Sequence, residues 1–165
     1  MTPEIFLIPS GYCGTVKVVF EEPCGQKETL EDKKRIYIIP ENGILISQFK
    51  QEFGILNQEY YYVDAKGERT LIPKMMLQDF NEATTTKRNE NEPPRDQVGI
   101  FEWGSTGASE MEGRVKVSYY IFHVGTYTEV RDSFTTLFQG NGKYEHAFDS
   151  TSQSEVNLCR TATTE

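Results

Sequence analysis

Apolar and polar positions alternate along much of the chain. In residues 6–20, FLIPSGYCGTVKVVF, a turn at Pro9-Ser10-Gly11 separates two apolar runs. In the second run Val16, Val18 and Phe20 point one way, and Thr15, Lys17 and Glu21 point the other. That period of two is what a strand needs when one face is buried and the other is wet. The same reading predicts strands over 4–8, 14–22, 35–39, 44–49, 59–63, 69–72, 98–103 and 114–124. Pro40-Glu41-Asn42-Gly43 reads as a tight turn, because Asn-Gly favours positive φ, and it joins 35–39 to 44–49 as a hairpin. Asp64-Ala65-Lys66-Gly67 predicts a second hairpin between 59–63 and 69–72. The 114–124 segment turns apolar on both faces near its end, as a central strand does.

One stretch changes period. Thr126-Tyr127-Thr128-Glu129 fits a capping box, and Val130, Phe134, Leu137 and Phe138 then recur on one helical face up to Gly140. This predicts an amphipathic helix near 127–139, packed on the sheet. Residues 26–33 (QKETLEDK) read as a charged loop. Residues 79–97 hold almost nothing apolar and include Pro93-Pro94, so they read as a mobile loop joining two parts of one domain. Residues 141–165 are polar and Ser/Thr-rich and read as a loosely attached tail. The fold class expected is mainly β: an antiparallel β-sandwich-like single domain over 1–165, with seven to nine strands and the one helix.

Charge narrows the partners. The chain of 165 residues carries a formal net charge of −8. Nucleic acid and polybasic membrane contacts need clustered Lys and Arg, so neither is expected. No run of 18 apolar residues is present for a transmembrane segment. The first ten residues have no basic start and no long apolar stretch, so they do not read as a signal peptide. Met1 is read either as a native start or as one replacing a removed export segment.

The cysteines are Cys13, Cys24 and Cys159. Cys13 and Cys24 bracket a predicted strand whose ends lie about 30 Å apart at ~3.3 Å per residue. A disulfide needs Cα atoms within roughly 7 Å, so these two are not expected to bond to each other. Whether Cys13 or Cys24 meets Cys159 stays open. No cysteine spacing suits zinc, so no metal and no cofactor is expected.

Catalytic signals are thin. His123 lies in a strand beside Phe122 and reads as a satisfied structural histidine, and His146 as a solvated one. A Cys13–His123 nucleophile pair has no spacing to support it. Glu21, Glu22, Glu28, Glu31, Asp32, Glu110 and Glu112 are plentiful carboxylates, but they show neither glycosidase nor calcium-loop spacing. Gly99, Gly104, Gly107 and Gly113 lack the strand–GxGxxG–helix context of a nucleotide site. Aromatic residues give the better hint: Tyr60, Tyr61, Tyr62, Trp103, Tyr119 and Tyr120 lie on predicted strands. Tyr61 cannot share a face with Tyr60 and Tyr62. Trp103, Tyr119 and Tyr61 are therefore the candidate ligand-binding residues, able to stack on sugar rings or a peptide.

Three stretches carry a resemblance. FLIPxGYxGxVxVxF at 6–20, RIYxIPENGIL at 35–45 and NQEYYYVDxxG at 57–67 resemble an uncharacterised bacterial domain-of-unknown-function family of small, often lipoprotein-like envelope proteins. The likeness covers residues 4–73 and continues more loosely through GIFxxGxTG at 99–107. It implies an envelope or extracytoplasmic location and brings no catalytic residues. The leading expectation is a non-enzymatic, envelope-associated binding or interaction module for a protein or glycan ligand. The alternatives are a hydrolase that acts on carbohydrate with loop carboxylates, and a structural accessory domain.

Overall fold

The computed structural model describes residues 1–54, 57–82, 84–102, 106–109, 117–135, 144 and 150–162. Among these, eleven strands build two sheets. In chain order they are β1 Glu4–Pro9, β2 Gly14–Phe20, β3 Leu30–Glu31, β4 Lys34–Ile38, β5 Ile44–Ile46, β6 Gln58–Val63, β7 Arg69–Leu71, β8 Lys74–Met75, β9 Gly99–Phe101, β10 Thr106–Ser109 and β11 Val117–Gly125. Two helices follow, α1 Tyr127–Thr135 and α2 Ser150–Ala162.

The first sheet runs β3-β4-β1-β6-β7 and the second β5-β2-β11-β9-β8. β10 pairs with the first half of β11, so β9 and β10 share one edge of that strand. The fold is mainly β and sandwich-like, as the alternation predicts. Its sheets are mixed rather than antiparallel, however: β1 lies parallel to both β4 and β6, β2 to β5, and β8 to β9.

The expected Pro40–Gly43 hairpin does not form. Gly43, at φ 75°, donates to Pro40 O, and Asn42 Oδ1 accepts from Ile44 N–H, so the tight turn is real. Its two strands go to different sheets: β4 joins β1, and β5 joins β2. Sequence periodicity fixes which face a residue presents, but not which strand it pairs with. The second hairpin forms as read. Asp64 Oδ1 accepts the N–H groups of Lys66 and Glu68, both at 2.9 Å, and Gly67 takes φ 83°. Tyr61, Tyr62 and Val63 then pair with Leu71, Thr70 and Arg69.

The main core lies between the sheets. Phe6 stacks between Tyr37 and Tyr60 at ring-centroid distances of 4.6 and 4.9 Å, as the register of β4-β1-β6 dictates. Val16, Val18, Ile100, Tyr120 and Phe122 close it from the second sheet. Aromatic stacks of this kind add about 0.5–1.5 kcal/mol per pair beyond the area they bury.

The other face of β2 is not wet. Every residue of β2 is buried, including Lys17 and Thr15. A further layer covers that face. Val156 of α2 packs on Val19 and Val117, while Tyr127 and Val130 of α1 pack with Phe80, Phe101 and Tyr144. Thr126 Oγ1 accepts Glu129 N–H at 3.3 Å, which is the predicted cap of α1. Phe134, Leu137, Phe138 and Gly140 fall outside the described side chains.

The expectation of a loose tail is corrected over 150–162. Those residues form α2, which is bonded covalently through Cys24–Cys159. Arg160 donates to both Glu22 carboxylate oxygens, and Lys17 Nζ donates to Ser152 Oγ at 2.9 Å. Cys13 and Cys24 are not joined to each other, as expected, and Cys13 is a free thiol.

Candidate functional site

Of the predicted site residues, Tyr61 and Tyr119 do not come together. Tyr61 sits on the outward face of the first sheet, in a row with Ile38, Leu7 and Leu71. Ile38 and Leu71 are exposed in that row. Tyr61 Oη donates to Glu59 Oε2 at 2.8 Å, and ion pairs Lys34–Glu59 and Glu31–Arg69 flank it. The Glu31–Arg69 pair links the two outermost strands of the sheet, which requires the sheet to curl. Tyr119 packs against the helix-facing side of the second sheet, with Val19, Val117 and Val156. The two tyrosines therefore occupy opposite outer faces of the sandwich. Trp103 lies outside the described residues.

A different cluster forms between the two sheets, reaching solvent at edge strand β8. Strand alternation turns Tyr60 of β6 and Tyr120 of β11 inward, toward each other. Their hydroxyls lie 2.6 Å apart. Both also reach Glu102 Oε1, Tyr60 at 3.0 Å and Tyr120 at 2.9 Å. Two phenol protons thus serve three short oxygen contacts. Lys74 of β8 completes the group, with its Nζ 3.1 Å from Glu102 Oε1 and 5.5 Å above the Tyr60 ring.

The network continues inward. Gln58 Oε1 lies 3.3 Å from Tyr60 Oη, and Gln58 Nε2 donates to Glu4 Oε2 at 2.9 Å. Glu4 Oε1 accepts from Tyr37 Oη at 2.8 Å. Glu4 is thus a buried carboxylate with donors on both oxygens, as a buried charge requires.

Burial sets the proton affinities. It pushes the phenols of Tyr60 and Tyr120 well up, and the Glu102 carboxylate adds to that. Glu102 itself would be raised by burial, but hydrogen bonds from Lys74, Tyr120 and Tyr60 outweigh this and hold it below its usual range. Glu102 is therefore an ionised acceptor, suited to binding and orientation rather than to general acid work.

Three other pairs have catalytic residue types. Lys17 of β2 and Ser152 of α2 form an amine–hydroxyl pair, but both are buried between the helix and the sheet. His123 Nδ1 lies 3.0 Å from Thr15 Oγ1 in the core, and Cys13 Sγ lies 3.8 Å from Tyr62 Oη, so the thiol's recorded neighbour is a phenol rather than the imidazole. Among the described residues, no group of three or more His, Cys, Asp or Glu side chains could hold a metal ion.

Sequence reading missed Glu102, Lys74 and Glu4. Lys74 follows the predicted 69–72 strand and Glu102 lies within the predicted 98–103 strand, both as ordinary charged residues, and only three-dimensional pairing of β8 with β9 sets them beside Tyr60. Tyr60 and Tyr120 were visible as strand aromatics.

The protein is a mainly β, sandwich-like fold of two mixed sheets with helices packed on the second, and the tyrosine–carboxylate network lies between the sheets. The chain belongs to the family of unknown function DUF6843, which it matches over residues 1–112. The fold is similar to the crystal structure of a protein described as a "putative lipoprotein" from Bacillus anthracis, with a TM-score of 0.56 and 20% identity over 99% of this chain and 96% of that one. No curated protein matches the sequence. No helix among the described residues is long and apolar enough to cross a membrane.

Proposed function

We propose that this protein is an extracytoplasmic, envelope-associated binding or interaction module that works without catalysis on a protein or glycan ligand. The Cys24–Cys159 bond carries the reading. Disulfides persist in oxidising compartments and are rare where glutathione and thioredoxin keep thiols reduced. The lipoprotein description of the structural neighbour supports the same location. The binding role is supported by the ionised, partly exposed Glu102–Lys74 edge and by the apolar row around Tyr61. Glu102, held below its usual range, is not itself the raised acid that a loop-carboxylate hydrolase needs.

The test is thiol trapping on protein taken directly from the cells that make it. Acid quenching and alkylation before reduction is expected to label Cys13 alone. Labelling of all three cysteines would place the protein in a reducing compartment and overturn the reading.

A further inference from the structure

Three donors converge on one oxygen atom. Glu102 Oε1 lies 2.9 Å from Tyr120 Oη, 3.0 Å from Tyr60 Oη and 3.1 Å from Lys74 Nζ. The donors come from three strands in two sheets, so the backbone fixes their spacing. Tyr60 and Tyr120 are 1% and 5% exposed, while the Lys74 and Glu102 side chains are 41% and 37% exposed. The phenols are buried, and the Lys74–Glu102 pair reaches solvent. An ammonium with phenol O–H groups around one point is a donor set for a carboxylate oxygen.

The present occupant belongs to the chain itself. Glu102 follows β9, which ends at Phe101, so its side chain can leave the site without breaking a ladder hydrogen bond. If it leaves, the two phenols still have each other and Gln58 Oε1, but the Lys74 ammonium loses its carboxylate partner and the phenol pair its shared anionic acceptor, so the vacated point favours another carboxylate.

We propose that Lys74, Tyr60 and Tyr120 form a binding site for the carboxylate of an incoming ligand, and that Glu102 is an internal stand-in which the ligand displaces. The proposal rests on the binding-module reading and names the chemistry that module recognises. Because Glu102 is tethered, it competes at an effective concentration in the roughly millimolar range or above. A simple carboxylate then fills the wild-type site only at high concentration, and a larger ligand needs contacts beyond the carboxylate.

The test titrates acetate, with chloride at matched ionic strength as control, into wild type, Glu102→Ala and Glu102→Ala/Lys74→Met. Melting temperature and the ring resonances of Tyr60 and Tyr120 are the readouts. Glu102→Ala is expected to show a saturable, acetate-specific rise in melting temperature with movement of both rings. The wild type is expected to show the same ring movement at ten- to hundredfold higher acetate. The double variant is expected to respond to acetate no more than to chloride.

D-glucuronate and N-acetylglycine distinguish a sugar-borne from a peptide-borne carboxylate. One of them is expected to move the wild-type rings at least tenfold below the acetate concentration needed. An acetate effect no larger than chloride's in Glu102→Ala, or one that survives loss of Lys74, overturns the site. Wild-type rings that respond to none of the three carboxylates overturn displacement. If Glu102→Ala does not fold, the wild-type titration alone decides, with acetate-specific ring shifts expected and their absence fatal. Neither readout depends on compartment, so failure here is distinct from failure of the thiol-trapping test.

Discussion

At the scale of single residues, Tyr60 and Tyr120 serve the core and the network together. Each ring packs against Phe6 or Phe122, and each hydroxyl closes on the other and on Glu102. Tyr120→Phe keeps the ring and removes one hydroxyl, at an expected cost of about 1–3 kcal/mol in urea unfolding. Tyr60→Phe costs a similar amount. Because the two hydroxyls are partners, the double variant loses less than the two costs combined, and strictly additive losses would contradict the shared network. A second residue-scale prediction concerns the 79–97 loop. Glu92 Oε2 accepts Asn81 N–H at 3.0 Å and Asn89 N–H at 2.9 Å, and Arg95 Nε lies 2.7 Å from Oε1. The Arg95 hydrogen bond, joined by those backbone donors, holds the Glu92 carboxyl at about 2. A lowered value means the stabilisation is complete above the ordinary carboxylate range and is lost as pH falls toward 2. The amide resonances of Asn81 and Asn89 are expected to titrate together with a midpoint about 2, and to lose that titration in Glu92→Gln. The reading of this segment as a mobile loop rests on its missing apolar residues, and composition does not reveal that the Glu92 carboxylate accepts two backbone N–H groups within it.

At the scale of elements, α2 is where sequence reading fell furthest short. Its apolar content is small, and Val156 is its one buried aliphatic residue among the core clusters. The helix is held instead by a covalent bond and by polar anchors, Arg160–Glu22 and Lys17–Ser152. None of these has a periodic signature. The strands were legible because alternation records burial one residue at a time. Their partners were not, since parallel pairing of β1 with β4 and β6 depends on crossovers rather than turns. Of the network at the sandwich edge, the tyrosines could be named from the sequence, while Lys74 and Glu102 became visible only through the β8–β9 pairing. The attachment of α2 makes a prediction. A disulfide with a sequence separation of 135 stabilises by about 5 kcal/mol in the chain-entropy model, and native bonds commonly give 2–5. Cys24→Ser/Cys159→Ser is expected to lose that much in urea unfolding, with hydrogen exchange rising first in 150–162. Exchange that rises equally in β1 would show that the bond supports the whole fold rather than the helix.

At the scale of the molecule, the boundary of the family match and the boundary of the folded unit differ. The match ends at residue 112, before β11 begins at Val117. Yet β11 lies between β2 and β9 in the second sheet. It pairs with seven residues of β2, Gly14 to Phe20, and with three of β9, Gly99 to Phe101. Among the described strands, without it β2 keeps β5 as its partner, β9 keeps β8 and β10 loses its partner, so the second sheet falls apart. Tyr120, Phe122 and Val124 would also leave the core that Val16, Val18 and Ile100 share. Each fully buried side chain of this size contributes about 1.5–3 kcal/mol, so the loss rivals the roughly 5–15 kcal/mol by which whole domains are stable. A fragment of residues 1–112 is therefore expected not to fold alone. Its amide spectrum should show the narrow dispersion of an unfolded chain, and it should aggregate through the unpaired edge of β2. Adding a separate 113–165 segment is expected to restore dispersion, because β11 is the missing central strand of that sheet and α1 and α2 are the layer covering it. A cooperatively melting 1–112 fragment with native-like dispersion would show that the first sheet and its facing strands suffice, and that β11 is an addition to the fold rather than its centre.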